Sequence, residues 1–161
     1  MTISVGDRVP SATLWRMGEK GPEEVSTDDL FGGKLVVVFG LPGAFTPTCS
    51  AKHVPSYLQR AEEIKAKGVD TIACISVNDA FVMNAWGKDQ GVGETILMLA
   101  DGSHAFTDAM GLDLDLSERG LGRRSQRYAM IVEDGTVKSL EVELSPATMS
   151  VSGADNVLGK L

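Results

Sequence analysis

Thiols and strong metal ligands are scarce in this 161-residue sequence, which has two cysteines and two histidines. Cys49 and Cys74 are too few to staple a secreted disulfide scaffold. His53 and His104 stand too far apart for a familiar zinc-ligand spacing, so no metal is expected. No stretch approaches the roughly 18 apolar residues of a membrane span, and no membrane partner is expected. The opening MTISVGDRVPSATLW lacks a basic segment followed by an apolar one, so no secretory signal is evident and a cytoplasmic location is expected. Positive charge is also short. Fifteen Lys and Arg against 22 Asp and Glu give a formal net charge of −7, which argues against nucleic acid as a partner. Repeats, low-complexity tracts and long linkers are absent, so residues 1–161 read as a single domain.

What is present suits a globular core: 43% of residues are apolar and 23% charged. Leu35-Val-Val-Val-Phe39, bounded by Gly32-Gly33 and Gly40, predicts a strand buried on both faces. A helix is expected from about Cys49 to Lys67, with Val54, Tyr57, Leu58, Ala61 and Ile64 as its apolar stripe and Gly68 as its stop. Val69–Val77 reads as a second strand. Alternation puts Ile72, Cys74 and Ser76 on one face of it and Ala73, Ile75 and Val77 on the other. Asn78-Asp79 caps a helix through Ala80–Trp86. A third strand over Thr95–Ala100, a short helix over Ser103–Met110 and a helical turn over Ala154–Leu161 complete the alternation. Between them, Tyr128–Val132 and Val137–Leu144 flank an Asp134-Gly135 hairpin. The class is α/β, with a mixed central sheet and helices on both faces. Its early β-helix-β unit is parallel and its late hairpin antiparallel.

The chemistry concentrates in Phe39-Gly-Leu-Pro-Gly-Ala-Phe-Thr-Pro-Thr-Cys-Ser50. This segment leaves a buried strand and opens a helix, which puts Cys49 in the first turn. Unpaired backbone N–H groups and the helix dipole favour an anion there. Cysteine pKa values, about 8.5 for a free thiol, fall to roughly 3.5–7.5 at such sites. Pro42 and Pro47 restrict the loop, and Gly40 and Gly43 allow close backbone approach by a small ligand. Thr46 sits three residues before Cys49, with its hydroxyl in reach of the sulfur or a substrate oxygen. His53 follows Cys49 by one helical turn, which admits a Cys–His pair of the hydrolase kind. The simpler reading is a structural histidine that shapes the pocket.

Pro42-x-x-x-Thr46-x-x-Cys49 resembles the peroxiredoxin active-site motif, and PGAFTPTCS resembles its type II, peroxiredoxin-five-like branch. The likeness continues through VGDRVP, KHVPSY, ISVNDAFVMNAW and RYAMIVEDG, nearly the whole chain. The resemblance implies a thioredoxin-like fold and a thiol-dependent peroxidase for hydrogen peroxide and alkyl hydroperoxides, with no cofactor. By position, Cys49 matches the peroxidatic cysteine that becomes a sulfenic acid. Thr46 matches the threonine bonded to peroxide and sulfur, and Pro42 the proline that shields the site. Gly43, Phe45 and Thr48 fall in the substrate-binding loop, with the Thr48 and Cys49 amides as candidates to hold the peroxide oxygens. Arg127 matches the arginine, with Arg123 and Arg124 as rivals that spacing does not separate.

Relatives in plants have a cysteine where this chain has Cys74, which makes it a candidate resolving residue; a small buried residue is the simpler reading. Mammalian-like relatives carry a late resolving cysteine, and Ser145–Leu161 has none. The resemblance therefore points to an external thiol, glutathione with glutaredoxin first and thioredoxin second, and to a homodimer. Phe45, Phe81 and Trp86 are read as core or interface aromatics, with burial the simpler reading. Two other classes share the same features. One is a thioredoxin-like disulfide oxidoreductase, for which Thr46 replaces the needed first cysteine. The other is a non-enzymatic redox sensor or chaperone-like binding protein.

Overall fold

The computed structural model describes residues 2–161. Strand formation begins earlier than the apolar runs imply. Thr13–Gly18 (β1) and Gly21–Ser26 (β2) form an antiparallel hairpin. The β2 sequence GPEEVS has no buried residue. It is an outermost strand, and its proline and glutamates suit an edge that must not recruit another chain. Thr27–Phe31 (α1) follows, with the Ser26 hydroxyl accepting from the Asp29 amide at 3.1 Å. Neither the hairpin nor this helix was expected, because Leu14, Leu30 and Phe31 are the only apolar residues they bury fully.

Leu35–Leu41 (β3) is buried at every residue after Leu35. The helix expected from Cys49 starts instead as a π-helical turn, Cys49–His53, in which the Val54 amide donates to the Cys49 carbonyl. A regular helix, Val54–Ala66 (α2), continues from it and stops before Gly68, whose φ is +95°. Thr71–Ser76 (β4) comes next, then Ala80–Gln90 (α3), capped by Asp79 and running past Trp86 to a left-handed Gly91. Leu97–Ala100 (β5) and Ala105–Ala109 (α4) follow. Asp113–Leu116 (β6) and Gly122–Ser125 (β7) form an unpredicted two-stranded ribbon. Tyr128–Glu133 (β8) and Thr136–Val142 (β9) are the expected hairpin, turning at Asp134-Gly135 with φ of 47° and 78°. Ala154–Leu158 (α5) closes the chain.

The main sheet has seven strands in the order β2-β1-β5-β4-β3-β8-β9. β3, β4 and β5 are parallel, whereas β8 runs antiparallel to β3 and β1 antiparallel to β5. Alternation along the strands divides the core into two layers. Val37, Phe39, Leu41, Ile72 and Cys74 meet α2, α3 and α5 on one face. Val36, Val38, Ala73, Ile75 and Leu99 meet α1 and α4 on the other. This is the mixed α/β sandwich expected from the sequence.

Candidate active site

Two close approaches fix where the site forms. Gly40 pairs with Tyr128 across β3 and β8, and a Cβ on Gly40 would lie 2.1 Å from the Tyr128 ring. Gly40 therefore makes room for a buried tyrosine and not for a ligand, which corrects the sequence reading. Gly43 is similar, since an added Cβ would stand 3.0 Å from the Arg124 guanidinium. Arg124 donates to the carbonyls of Leu121 and Val77 at 2.9 and 3.3 Å, with a long 3.5 Å contact to that of Pro42. It braces the loop from behind. Asn78 holds it from the β4 side, accepting from the Ala44 amide at 2.9 Å.

Cys49 and Arg127 are both buried, and Arg127 Nη2 donates to Cys49 Sγ at 2.9 Å. The other donors of the same guanidinium are also engaged: Nε with the Pro146 carbonyl at 3.0 Å, Nη1 with His53 Nδ1 at 2.7 Å. Its planar fork satisfies three acceptors on one rigid group, which a lysine ammonium cannot reproduce. Of the three candidate arginines, only Arg127 contacts the sulfur. Arg123 lies on the surface, paired with Asp113 and 3.8 Å from Asp108.

His53 is fully buried and its pKa is lowered to about 3, first by desolvation and then by the Arg127 charge. Its tautomer follows from its partners. Nε2–H donates to the Ser152 carbonyl at 3.0 Å, which leaves the Nδ1 lone pair to accept from Arg127. A ring so committed has no lone pair for a thiol proton, so the Cys–His hydrolase pairing fails on hydrogen-bond accounting. Tyr57 lies beside it, stacked on Phe39 at 4.0 Å, and its hydroxyl also donates to the Ser152 carbonyl at 2.7 Å.

The loop residues divide. Pro42 is buried beneath the loop. Thr46 is half-buried, and its hydroxyl donates to the Gly43 carbonyl at 2.6 Å. That proton is thus not on the sulfur, contrary to the sequence expectation, but the hydroxyl lone pairs remain able to accept from a peroxide O–H. The Thr48 hydroxyl donates to the Ala147 carbonyl at 3.1 Å, and among the described residues no acceptor takes the Thr48 or Cys49 backbone N–H. Phe45, with φ of +63°, is 53% exposed and Phe81 is 64% exposed, so neither has the simple burial expected of it. Trp86 is buried, with its indole N–H on the Ser50 hydroxyl at 3.0 Å.

Cys74 is buried on β4 opposite Phe39, in the same core layer as Cys49, and both cysteines are free thiols. Burial pushes its pKa well up, and the charge of Cys49 adds to that. A thiol so disfavoured as thiolate is a poor nucleophile where it stands.

Sequence reasoning missed the segment from Glu143 to Ser152, which supplies the Pro146 and Ser152 carbonyls and runs past Thr48 at Ala147. Its polar composition reads as an ordinary loop. The only available signal was an acidic residue alternating with apolar ones at the end of β9. Among the described residues there is no group of His, Cys, Asp or Glu able to hold a metal, and no helix is long and apolar enough to cross a membrane.

A buried cysteine at a strand-to-helix loop lies hydrogen-bonded to a buried guanidinium on a thioredoxin-like scaffold, an arrangement that fits a thiol-dependent peroxidase. The chain belongs to the Redoxin family, whose profile matches residues 4–158. It is 48% identical to Peroxiredoxin-2B of Arabidopsis thaliana over 160 residues, covering 99% of this chain and 98% of that one. The reduced Prx3 of Vibrio vulnificus in complex with hydrogen peroxide superposes with a TM-score of 0.93 at 51% identity, over 98% of both chains. Peroxiredoxin 5 from Alvinella pompejana gives 0.87 at 35% identity, over 98% of this chain and 97% of that one. The protein is a thiol peroxidase of the peroxiredoxin type, an oxidoreductase.

Proposed function

We propose that Cys49 reduces hydrogen peroxide and alkyl hydroperoxides, and the observation that carries this is the 2.9 Å contact from Arg127 to its sulfur. The Cys49 thiolate attacks the nearer peroxide oxygen. An S–O bond forms, the O–O bond breaks, and the leaving oxygen takes a proton to depart as water or alcohol. Sulfur is oxidised by two electrons to the sulfenic acid and the peroxide is reduced. Arg127 stabilises the thiolate and the charge moving onto the departing oxygen. The free amides of Thr48 and Cys49 hold the peroxide, Thr46 accepts from its O–H, and Pro42 and Phe45 shape the approach, while Gly43 lets Arg124 pack behind the loop. His53 is a neutral spacer that orients Arg127.

An external thiol regenerates Cys49, glutathione with glutaredoxin before thioredoxin, and no cofactor takes part. Resolution by Cys74 requires β4 to open, because that thiol is buried in the sheet. Free thiols and thiol reductants suit a reducing compartment such as the cytoplasm. The exposed Phe45 and Phe81, beside the site loop and on the first turn of α3, support a homodimer.

Peroxide consumption with glutathione plus glutaredoxin, and separately with thioredoxin, tests this in wild type, Cys49→Ser and Cys74→Ser. Cys49→Ser is expected to lose all turnover and Cys74→Ser to keep it with glutaredoxin. Full activity in Cys49→Ser removes the proposal. Lost turnover in Cys74→Ser, with the first oxidation intact, makes Cys74 the resolver.

A further inference from the structure

Glu143 ends up buried just beyond β9, with only 7% of its surface exposed. A carboxylate in that position must be heavily hydrogen-bonded or give up its charge. It is heavily bonded. Oε2 accepts from the backbone amides of Ser150, Val151 and Ser152 at 2.8, 2.9 and 2.8 Å and from the Ser152 hydroxyl at 2.6 Å. Oε1 accepts from the Ser150 hydroxyl at 2.9 Å. Burial alone would raise the Glu143 pKa, but the bonds from Ser152 and Ser150 outweigh it and hold the group below the ordinary carboxylate range.

Three successive amides converging on one oxygen leave the Ser150–Ser152 backbone little freedom. The next carbonyl in that chain is that of Ser152, the shared acceptor of His53 and Tyr57. His53 in turn accepts from Arg127, and Arg127 donates to Cys49. The same strap presents the Pro146 carbonyl to Arg127 Nε, and the Glu143 amide donates to the Arg127 carbonyl at 2.9 Å. The strap that Glu143 closes therefore grips Arg127 on two sides of its guanidinium and at its backbone.

We propose that Glu143 is a positioning residue for peroxide reduction: its carboxylate fixes the Ser152 carbonyl, which through His53 aims the Arg127 guanidinium at Cys49. This rests on the assignment of Cys49 and Arg127 to the reaction. Glu143 touches neither the sulfur nor the peroxide, and acts by geometry. Its charge alone has the opposite sign of effect, because a nearby anion opposes the Cys49 thiolate.

The test compares Glu143→Ala, Glu143→Gln and Arg127→Ala with wild type, all as the full reduced chain. Single-turnover oxidation by hydrogen peroxide is followed by intrinsic tryptophan fluorescence, to which Trp15 and Trp86 both contribute. Carbamidomethylation of Cys49 by iodoacetamide is followed from pH 5 to 9 by mass spectrometry of its peptide. Measured below the pH at which Cys49 titrates, oxidation of Glu143→Ala is expected to slow about tenfold, with the alkylation profile about one pH unit higher, since a one-unit shift is a tenfold loss of thiolate where the thiol predominates. Glu143→Gln keeps the length and one acceptor oxygen, and should fall between Ala and wild type. If Glu143→Ala fails to fold, the Gln variant decides.

A profile that moves to lower pH makes the effect electrostatic and overturns the proposal. So does a lower melting temperature with oxidation and alkylation unchanged, which would leave Glu143 a structural anchor. If Arg127→Ala is impaired and the Glu143 variants are not, this inference alone fails. If Arg127→Ala is itself unimpaired, the assignment of the site fails with it.

Discussion

Acid should destabilise this protein through one buried ring. His53 has no exposed surface, and its pKa is lowered to about 3 from an ordinary 6.5 by desolvation and then by Arg127. In the unfolded chain the ring takes up a proton as pH falls through 6.5. In the folded chain it does not until about pH 3, so over this window the unfolded state binds the extra proton and stability falls as pH falls. At about 1.4 kcal/mol per pH unit of separation, the loss between pH 7 and pH 5 comes to about 2 kcal/mol. That is a large part of a typical stability of about 5–15 kcal/mol.

Urea unfolding of wild type and His53→Gln at pH 7, 6 and 5 reads the effect directly. The variant starts less stable, having lost the ring's packing and its bonds to Ser152 and Arg127. The gap between the two proteins should then close by about 2 kcal/mol by pH 5, because only wild type carries the linked proton. His104 is present in both and cancels. Most carboxylates titrate below this window, so acid loss from Glu143 and its like begins later. A gap that stays constant from pH 7 to 5 would refute the reasoning, since it would mean the buried ring titrates as it does in water.

Two further outcomes follow from the same geometry. Arg127→Lys keeps the charge but not the fork, and losing a charge-assisted bond of about 1.5–3 kcal/mol should slow Cys49 oxidation by about 10–150-fold. Stopped-flow fluorescence at saturating and subsaturating peroxide checks this, and a wild-type rate would show that charge alone suffices. Gly40→Ala forces a methyl group against the buried Tyr128 ring and should cost about 3 kcal/mol by overpacking. An unchanged urea midpoint would show that β3 and β8 slide apart more easily than their register suggests.

The parts of the fold legible in the sequence are those whose burial writes a pattern. The β3 run, the stripe on α2, the alternation of Ile72 and Cys74 against Ala73 and Ile75 on β4, and the Asp134-Gly135 turn all follow from periodicity or turn chemistry. The edge hairpin β1–β2 and the ribbon β6–β7 were not legible, because a strand that faces solvent has no apolar rhythm to read. The π-helical turn left no mark either, since closing a hydrogen bond over one more residue changes no composition. At the site, spacing placed His53 one turn from Cys49 and left a hydrolase-like pair open beside the preferred structural histidine. The deciding fact is a guanidinium 74 residues further on that takes the imidazole's lone pair. Spacing alone did not separate Arg127 from Arg123 and Arg124; the resemblance singled out Arg127, and it is the one of the three that reaches the sulfur. The Glu143–Ser152 strap needed the full tertiary structure, because its contribution is made by carbonyl groups that every residue possesses.

The contact between Cys49 and Arg127 spans 78 residues of chain. At about 5–20 residues per second, the ribosome takes several seconds to add that stretch, and throughout it the cysteine has no guanidinium beside it. A nascent or unfolded chain thus carries an unassisted thiol at position 49. Only when β8 docks against β3 does the arginine arrive. On the role proposed for Arg127, its help to Cys49 is therefore a property of the folded chain alone.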